Sequence, residues 1–360
     1  MLDGAATAEG TRRFSERFPE AEEKGFFRRL GDLRVSSIGL GTYLGEPSDA
    51  VDRGYEEAIA AALEHGINLF DCAINYRHQL SERALGRALA AAIESGRVAR
   101  DEIVVATKAG FLPFDGTVPD DPAAYLRREY VASGAIGRDD LVANCHCISP
   151  RYLDDQLERS RSNLGLGTID LYYLHNPETQ LAEVDRDELG ERLEEAFGWM
   201  EERREAGAIV RYGVATWDGL RLPPSAPRHL SLAAVVERAG DGLAVVQAPV
   251  NLAMPEALAA PTQQIGDAVV PLAVAARHFE LALVSSASLM QMRLERLPEE
   301  IDAAFPGLAS DAQRALQFTR SLPGLTAALV GMSSRRHVEE NLALARREPA
   351  STETIQGLFA

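Results

Sequence analysis

Apolar residues in this chain gather into short continuous runs, at 38–41, 69–70, 103–106, 169–174, 212–215, 243–247, 281–285 and 326–330. Between the runs lie amphipathic stretches with a period of about 3.6 residues, the mark of helices packed on one side. One starts near Asp49 with Tyr55, Ile59, Ala62 and Leu63 inward and Gly66 at its end; another starts at Ser81 with Leu85 and Leu89 on one face. A helix from Pro150 carries Leu153, Leu157 and Leu164, and a charged helix buries Leu189, Leu193, Phe197 and Met200. Further helices are expected at about 228–239, 265–279, 311–321 and 335–346. Runs that are continuous rather than alternating imply strands buried on both faces, as in a parallel sheet covered by helices. Eight such strand–helix units predict a single α/β (β/α)8 TIM barrel spanning residues 26–347. An open doubly wound sheet is the competing architecture, but no G-x-G-x-x-G opens a helix after the first strand.

Around that barrel the pattern marks three additions. Apolar stretches on either side of Gly31-Asp32 suggest a small N-terminal hairpin. Residues 1–25 are polar and read as an N-terminal tail or short helix, and 348–360 as a C-terminal tail. After strand 3, residues 110–149 are irregular, with Pro113, Pro119, Pro122, Gly134 and Gly137, and read as a rim insertion that folds over a substrate pocket.

Composition narrows the functions. The net charge of -17 counts against a nucleic-acid partner or an anionic membrane surface. A bound phosphate would need a local basic patch or a helix N-terminus. Three cysteines form no disulfide framework, and no apolar run is long enough for a signal peptide or a membrane span. The expectation is a soluble, cytoplasmic protein. Cys145-His146-Cys147 lacks a second ligand pair and suits zinc poorly, so no metal is expected.

Barrel sites lie at the C-terminal ends of the strands. Asp71, Lys108 and His175 end strands 2, 3 and 4, and Tyr76 lies in the loop beyond strand 2. Taken singly, Asp71 reads as a turn residue and His175 as a core histidine; together they converge on one mouth. A lysine beside a tyrosine lowers the phenol's pKa, and an aspartate holds that lysine charged. A neutral histidine can polarise a carbonyl oxygen. The set suits protonation of an oxyanion as a hydride arrives at carbon.

At this point the sequence resembles the aldo-keto reductases. The resemblance rests on Gly41-Thr42-Tyr43, the stretch from Asp71 to Gly86, Thr107-Lys108 and Ile169-Asp170-Leu171-Tyr172-Tyr173-Leu174-His175. Tyr212 to Trp217, Gln247, Val330-Gly331-Met332-Ser333 and His337 to Asn341 continue it in the family's order. It implies Tyr76 as general acid tuned by Lys108 and Asp71, with His175 orienting the carbonyl of an aldehyde or ketone, a sugar or another small carbonyl compound. It also implies a nicotinamide cofactor near Gly41, Thr42, Tyr43, Asp71, Thr216 and Gln247, with Ser286, Ser288 and Leu289 along its path. Glu340 and Asn341 would bind adenine, and Ser333 and Arg335 would lie near the ribose phosphate.

Four departures stand out. Ala215-Thr216 replace the serine–asparagine found under the nicotinamide amide in many members, and Ser286 replaces a tyrosine that stacks on the ring. Arg77 and His78 stand where a glycine is usual, implying a narrower, more polar mouth. The family's basic phosphate positions fall at Gly331 and His337, leaving Arg335 or Arg336 to supply the charge for NADP(H), with NAD(H) as the alternative. Two other functions remain open on the residues alone: a barrel lyase using Lys108 as a Schiff base, and a non-enzymatic nicotinamide-binding sensor or subunit. The substrate and the oligomeric state are not written in the sequence.

Overall fold

Side chains of a strand alternate between its two faces, so each apolar run contributes one set inward and one outward. In the computed structural model, which describes residues 1–137, 139–292, 294 and 296–358, these sets build a closed barrel. Its strands are β1 (Ile38–Gly41), β2 (Leu69–Asp71), β3 (Val104–Ala109), β4 (Ile169–His175), β5 (Ile209–Ala215), β6 (Leu243–Pro249), β7 (Ala282–Ser286) and β8 (Leu325–Gly331). Each pairs in parallel with the next, and β8 closes on β1 with Val330 opposite Leu40. Leu69, Val104, Ala106, Leu171, Tyr173, Val245, Val284 and Leu329 fill the interior. The inward positions one step higher are Asp71, Lys108, His175 and Gln247. Strand parity therefore carries the polar residues to the C-terminal mouth above an apolar floor.

The antiparallel hairpin Phe27–Leu30/Leu33–Ser36 adds Leu30, Leu33 and Val35 to the same interior cluster, plugging the other end. Helices cover the outside, and their boundaries follow their caps. Ser48 caps Asp49–Glu64 by accepting from the Val51 N–H, and Gly165, with φ 66°, ends Pro150–Leu164 in the left-handed region. No helix among the described residues is long and apolar enough to cross a membrane.

Several expectations need correction. The helix expected over 265–279 is only Leu272–His278, because Gly266 (φ 56°) turns a hairpin between Gln263–Ile265 and Ala268–Val270, and Pro271 then starts the helix. The helix expected at about 228–239 is Leu232–Arg238, capped by Ser231. The helix expected at about 335–346 is Arg335–Leu342, which gives way to a 3-10 turn over Ala343–Arg346. Residues 1–25 hold two helices, Ala8–Ser15 and Pro19–Glu23, with Phe14 fully buried, and the Ala6 N–H donates to Asp170 at 2.6 Å. The C-terminal stretch contains the helix Thr352–Gly357, docked through Ile355. Glu201, on the charged helix Arg186–Glu205, accepts from the Tyr212 hydroxyl at 2.7 Å and the Gly242 N–H at 2.7 Å.

Within 110–149 a short helix, Pro122–Leu126, runs into a π-helical turn, Arg127–Val131. The segment is closed at its root. Phe111 and His146 bridge in antiparallel fashion, with Leu112 N–H donating to Cys145 O (2.8 Å) and Cys147 N–H to Gly110 O (2.9 Å).

Candidate active site

Asp71 is the last residue of β2, where Gly41 pairs with it from β1 and Ala106 from β3. Lys108, two residues beyond Ala106, points inward and is wholly buried. Its Nζ donates to Asp71 Oδ1 at 2.5 Å, to Cys72 O at 2.8 Å and to the Tyr76 hydroxyl at 3.4 Å. The other Asp71 oxygen accepts from Gln247 Nε2 at 2.8 Å. Burial works against the ammonium, yet Asp71 and Tyr76 outweigh it and hold Lys108 above its ordinary pKa. Tyr76 is half-buried. Burial pushes its hydroxyl up to about 12 against the opposing pull of Lys108, so the lowering expected from the lysine alone is overcome.

His175 ends β4, its ring 5.9 Å from that of Tyr76 and edge-on to it. Burial, then Lys108, then His146 push its pKa well below the ordinary value, so the ring is neutral. Its Nδ1 is buried without a partner among the described residues, as are Thr216 Oγ1 and Asn75 Oδ1. Buried polar atoms normally find partners, so three orphans around one cavity point to a ligand.

Tyr76 opens a 3-10 turn, Tyr76–Gln79, in which Arg77 (φ 49°), His78 (φ 55°) and Gln79 (φ 73°) all lie in the left-handed region. Such residues cost of order 1 kcal/mol each and persist where their surroundings fix them. Here the fixing group is Arg77. Its buried guanidinium turns away from the mouth to Asp52 (2.5 Å) and Glu46 O (3.2 Å) and lies 5.4 Å over the Tyr55 ring. His78 sits beside Phe114, ring centroids 5.7 Å apart. Neither residue lines the cavity, so the narrowed mouth expected from them is not present.

The cavity above this set encloses about 440 Å³. Gly41, Thr42, Tyr43, Asp71, Tyr76, His175, Thr216, Gln247, Ser286, Ser288, Leu289 and Gly331 all line it, with Lys108 just beneath. Ser333, Arg335, His337, Glu340 and Asn341 lie outside its wall, on the loop and helix after β8. Arg335 is engaged by Glu64 at 3.0 Å and Glu339 at 3.6 Å. Glu340 accepts from Ser310 Oγ at 2.6 Å, whereas Arg336 is exposed, with Glu340 3.9 Å away.

Sequence reasoning assigned no site role to Asn75, Phe111, Asn176 or Trp217, which also line the wall. Three of these adjoin a predicted site residue, and that adjacency was the available signal. It also missed Glu178, whose buried carboxylate accepts from the N–H groups of Trp217 (2.8 Å), Asp218 (3.3 Å) and Gly219 (3.3 Å) and so fixes the turn after Thr216. His146, between two cysteines, has both ring nitrogens engaged. Among the described residues no cluster of three or more His, Cys, Asp or Glu could hold a metal ion.

The architecture is a closed (β/α)8 barrel with a tyrosine, a lysine–aspartate pair and a neutral histidine at its C-terminal mouth. The sequence profile of the Aldo/keto reductase family matches residues 37–258, and the chain belongs to that family. Among curated proteins it is 31% identical over 172 residues to a D-threo-aldose 1-dehydrogenase of Pseudomonas sp, covering 44% of this chain and 42% of the relative. It is 25% identical over 157 residues to aldo-keto reductase family 4 member C11 of Arabidopsis thaliana, covering 44% and 36%. The chain thus spans less than half the length of these two curated relatives. Among solved structures, an aldo/keto reductase from Klebsiella pneumoniae in complex with NADP and acetate aligns over 92% of this chain and 94% of its own, at 21% identity and a TM-score of 0.63. The holo form of an aldo-keto reductase from Bacillus halodurans aligns over 92% and 95%, at 20% identity and a TM-score of 0.63. At those identities the structures establish the barrel fold.

Proposed function

We propose that the protein reduces the carbonyl group of an aldehyde or ketone with NADP(H). The observation that carries this reading is the Tyr76 hydroxyl, backed by the Lys108–Asp71 pair at 3.4 Å and faced by neutral His175. The orphaned Thr216 Oγ1, Asn75 Oδ1 and His175 Nδ1 fit a ligand that carries an amide and a substrate oxygen. Gly41 and Gly331 leave backbone bare on the wall for close approach. When bound, the nicotinamide supplies the hydride to the carbonyl carbon.

The chain's own residues do the rest. Tyr76 stays protonated at neutral pH and gives its proton to the carbonyl oxygen as charge develops there. Lys108 stabilises the phenolate left behind, Asp71 keeps the lysine charged, and Gln247 braces Asp71. His175 orients the carbonyl. Thr216 holds the carboxamide, and Trp217, on the same wall, offers an aromatic face in place of the one absent at Ser286. Arg336, the less encumbered of the two arginines, meets the 2′-phosphate at a helix N-terminus. Phe111 brings the insertion into the substrate pocket. The name of the Pseudomonas relative supports counting aldoses among the substrates. A lysine held above its ordinary pKa is unsuited to Schiff-base chemistry.

The test is a panel of aldehydes, ketones and aldoses with NADPH and NADH, followed by loss of reduced-nicotinamide absorbance. Turnover that disappears in Tyr76→Phe is expected. Cofactor binding without turnover of any carbonyl would favour the non-enzymatic sensor instead.

A further inference from the structure

We propose that His146, delivered by the segment between β3 and the helix Pro150–Leu164, is a positioning residue for His175. The inference rests on the reading of His175 as the group that orients the carbonyl.

The His146 ring is fully buried, and its Nε2 lies 2.7 Å from the main-chain oxygen of His175. A carbonyl oxygen only accepts, so Nε2 carries the proton and Nδ1 is bare. The bare nitrogen accepts from the side-chain amide of Gln180 at 2.8 Å, and Gln180 Oε1 accepts from Arg192 at 2.6 Å. One direction of donation runs through the whole chain: Arg192 to Gln180 to His146 to the His175 carbonyl. The tautomer is thereby set by its neighbours. Burial holds the ring neutral, with its pKa lowered to about 4.

The place where this bond falls gives it its purpose. The β3–β4 ladder stops at Ala109 opposite Leu174, and Asn176 enters the left-handed region at φ 49°. His175 therefore sits on the last residue of a strand, past the last ladder pair with β3. The imidazole of His146 supplies a donor beyond the point where β3 stops. Gly110 makes room for this: a Cβ there would stand 2.4 Å from the His175 oxygen and 2.8 Å from His146 Nε2. Phe111, bridged to His146, lies 5.3 Å from the His175 ring and 5.0 Å from the His146 ring, edge-on to both. The root of the insertion thus holds His175 by its backbone on one side and by its ring on the other. A small backbone shift here would swing the imidazole away from the carbonyl it orients, and displacements of about 1 Å can cost about a hundredfold in rate.

Steady-state kinetics on His146 variants test this. His146→Leu removes the donor and should lower kcat about tenfold or more with the KM for NADPH unchanged. The side-chain amide of His146→Gln reaches the Nε2 position and should retain roughly a third or more of wild-type kcat, whereas His146→Asn is too short and should behave like leucine. Should His146→Leu not fold, Gln180→Met removes the donor to Nδ1 with His146 intact and should lower kcat about threefold at constant KM. Equal kcat in wild type and His146→Leu, equal losses in the glutamine and leucine variants, or a Gln180→Met enzyme at full speed would each overturn the role while leaving the site reading intact. A wild-type protein that turns over no carbonyl would overturn both.

Discussion

Gln247 reaches from β6 across the mouth of the barrel to donate to Asp71 on β2, at 2.8 Å. Together with Lys108 on the opposite oxygen, it leaves both carboxylate oxygens bonded. Replacing the amide with a carboxylate turns this donor into a like charge. In Gln247→Glu the two carboxyls would share a proton, so one has a folded pKa raised above its unfolded value. Such a group binds more protons folded than unfolded, and its stability contribution is lost as pH rises. The variant should therefore lag wild type more at pH 8 than at pH 5, by about 0.5 kcal/mol for a folded pKa one pH unit above an unfolded value of about 4.3. Urea melts at the two pH values measure the difference, and an equal deficit at both would mean the carboxyls do not share a proton.

Tyr76→Phe should lower carbonyl reduction by roughly a hundredfold or more, with cofactor affinity unchanged. The acid form of a phenol near 12 persists throughout the neutral range, so wild-type reduction should show no loss from Tyr76 between pH 6 and 9. Alcohol oxidation needs the phenolate and should rise about tenfold per pH unit over the same range. A flat oxidation profile would remove Tyr76 from the proton transfer.

The Arg77–Asp52 pair anchors the turn that begins with Tyr76. Arg77→Leu keeps an apolar stem but leaves Asp52 with Arg87, at 2.9 Å, as its one ionic partner among the described residues. Removing one member of a buried pair costs about 3–5 kcal/mol, and the remaining arginine should hold the loss near the lower end. Chemical denaturation gives that figure; turnover should fall as well, because the turn loses the group that fixes its left-handed residues. A loss under about 1 kcal/mol would mean the pair is not what holds the turn.

How much of this was legible in the sequence depends on how local the signal was. The barrel was readable because β3 and β6 open on apolar runs and β4 is apolar but for Asp170 up to His175; parity and position at the strand ends then send Asp71, Lys108 and His175 to one mouth. The hairpin at Gly266 was not readable, since Gln263–Ile265 and Ala268–Val270 are three residues each, too short to show the alternation that tells a strand from a helix. Arg77 looked like a charge at the mouth because its partner, Asp52, is remote in sequence and lies on another helix. Phe14 was hidden in a polar stretch, where one aromatic residue has no period to betray it. His146 drew notice for its cysteine neighbours, whereas what gives it a place is a carbonyl 29 residues away.

His146 also predicts a pH effect on stability. Its folded pKa, about 4, lies below the unfolded value of about 6.5, so the native state binds fewer protons. Its contribution is complete above about pH 6.5 and is lost as pH falls towards 4, amounting to about 2–3 kcal/mol at pH 4.5. His146→Gln should flatten the decline between pH 7 and 4.5 by that amount in urea melts. Parallel curves for the two proteins would mean that the ring is not buried neutral.

For the cofactor phosphate, Arg336→Ala should weaken NADPH by roughly 1.5–3 kcal/mol and leave NADH nearly untouched, as expected for one charge-assisted contact. Titrations of both cofactors against wild type and variant decide it. Equal affinity of the wild type for the two would remove the preference itself.

The root of the insertion, where Phe111 bridges His146, separates two problems that enzymes usually solve together. Because the chain leaves and re-enters the barrel through one closed pair, the residues beyond it can change length without prising β3 from β4, and longer loops cost little extra closure entropy. New rim architectures can therefore be grafted between Phe114 and Val142 onto an unaltered proton-transfer set. Among the described residues of 110–149, Phe111 alone lines the cavity, so the rim beyond it is free to diverge while the cavity wall stays put.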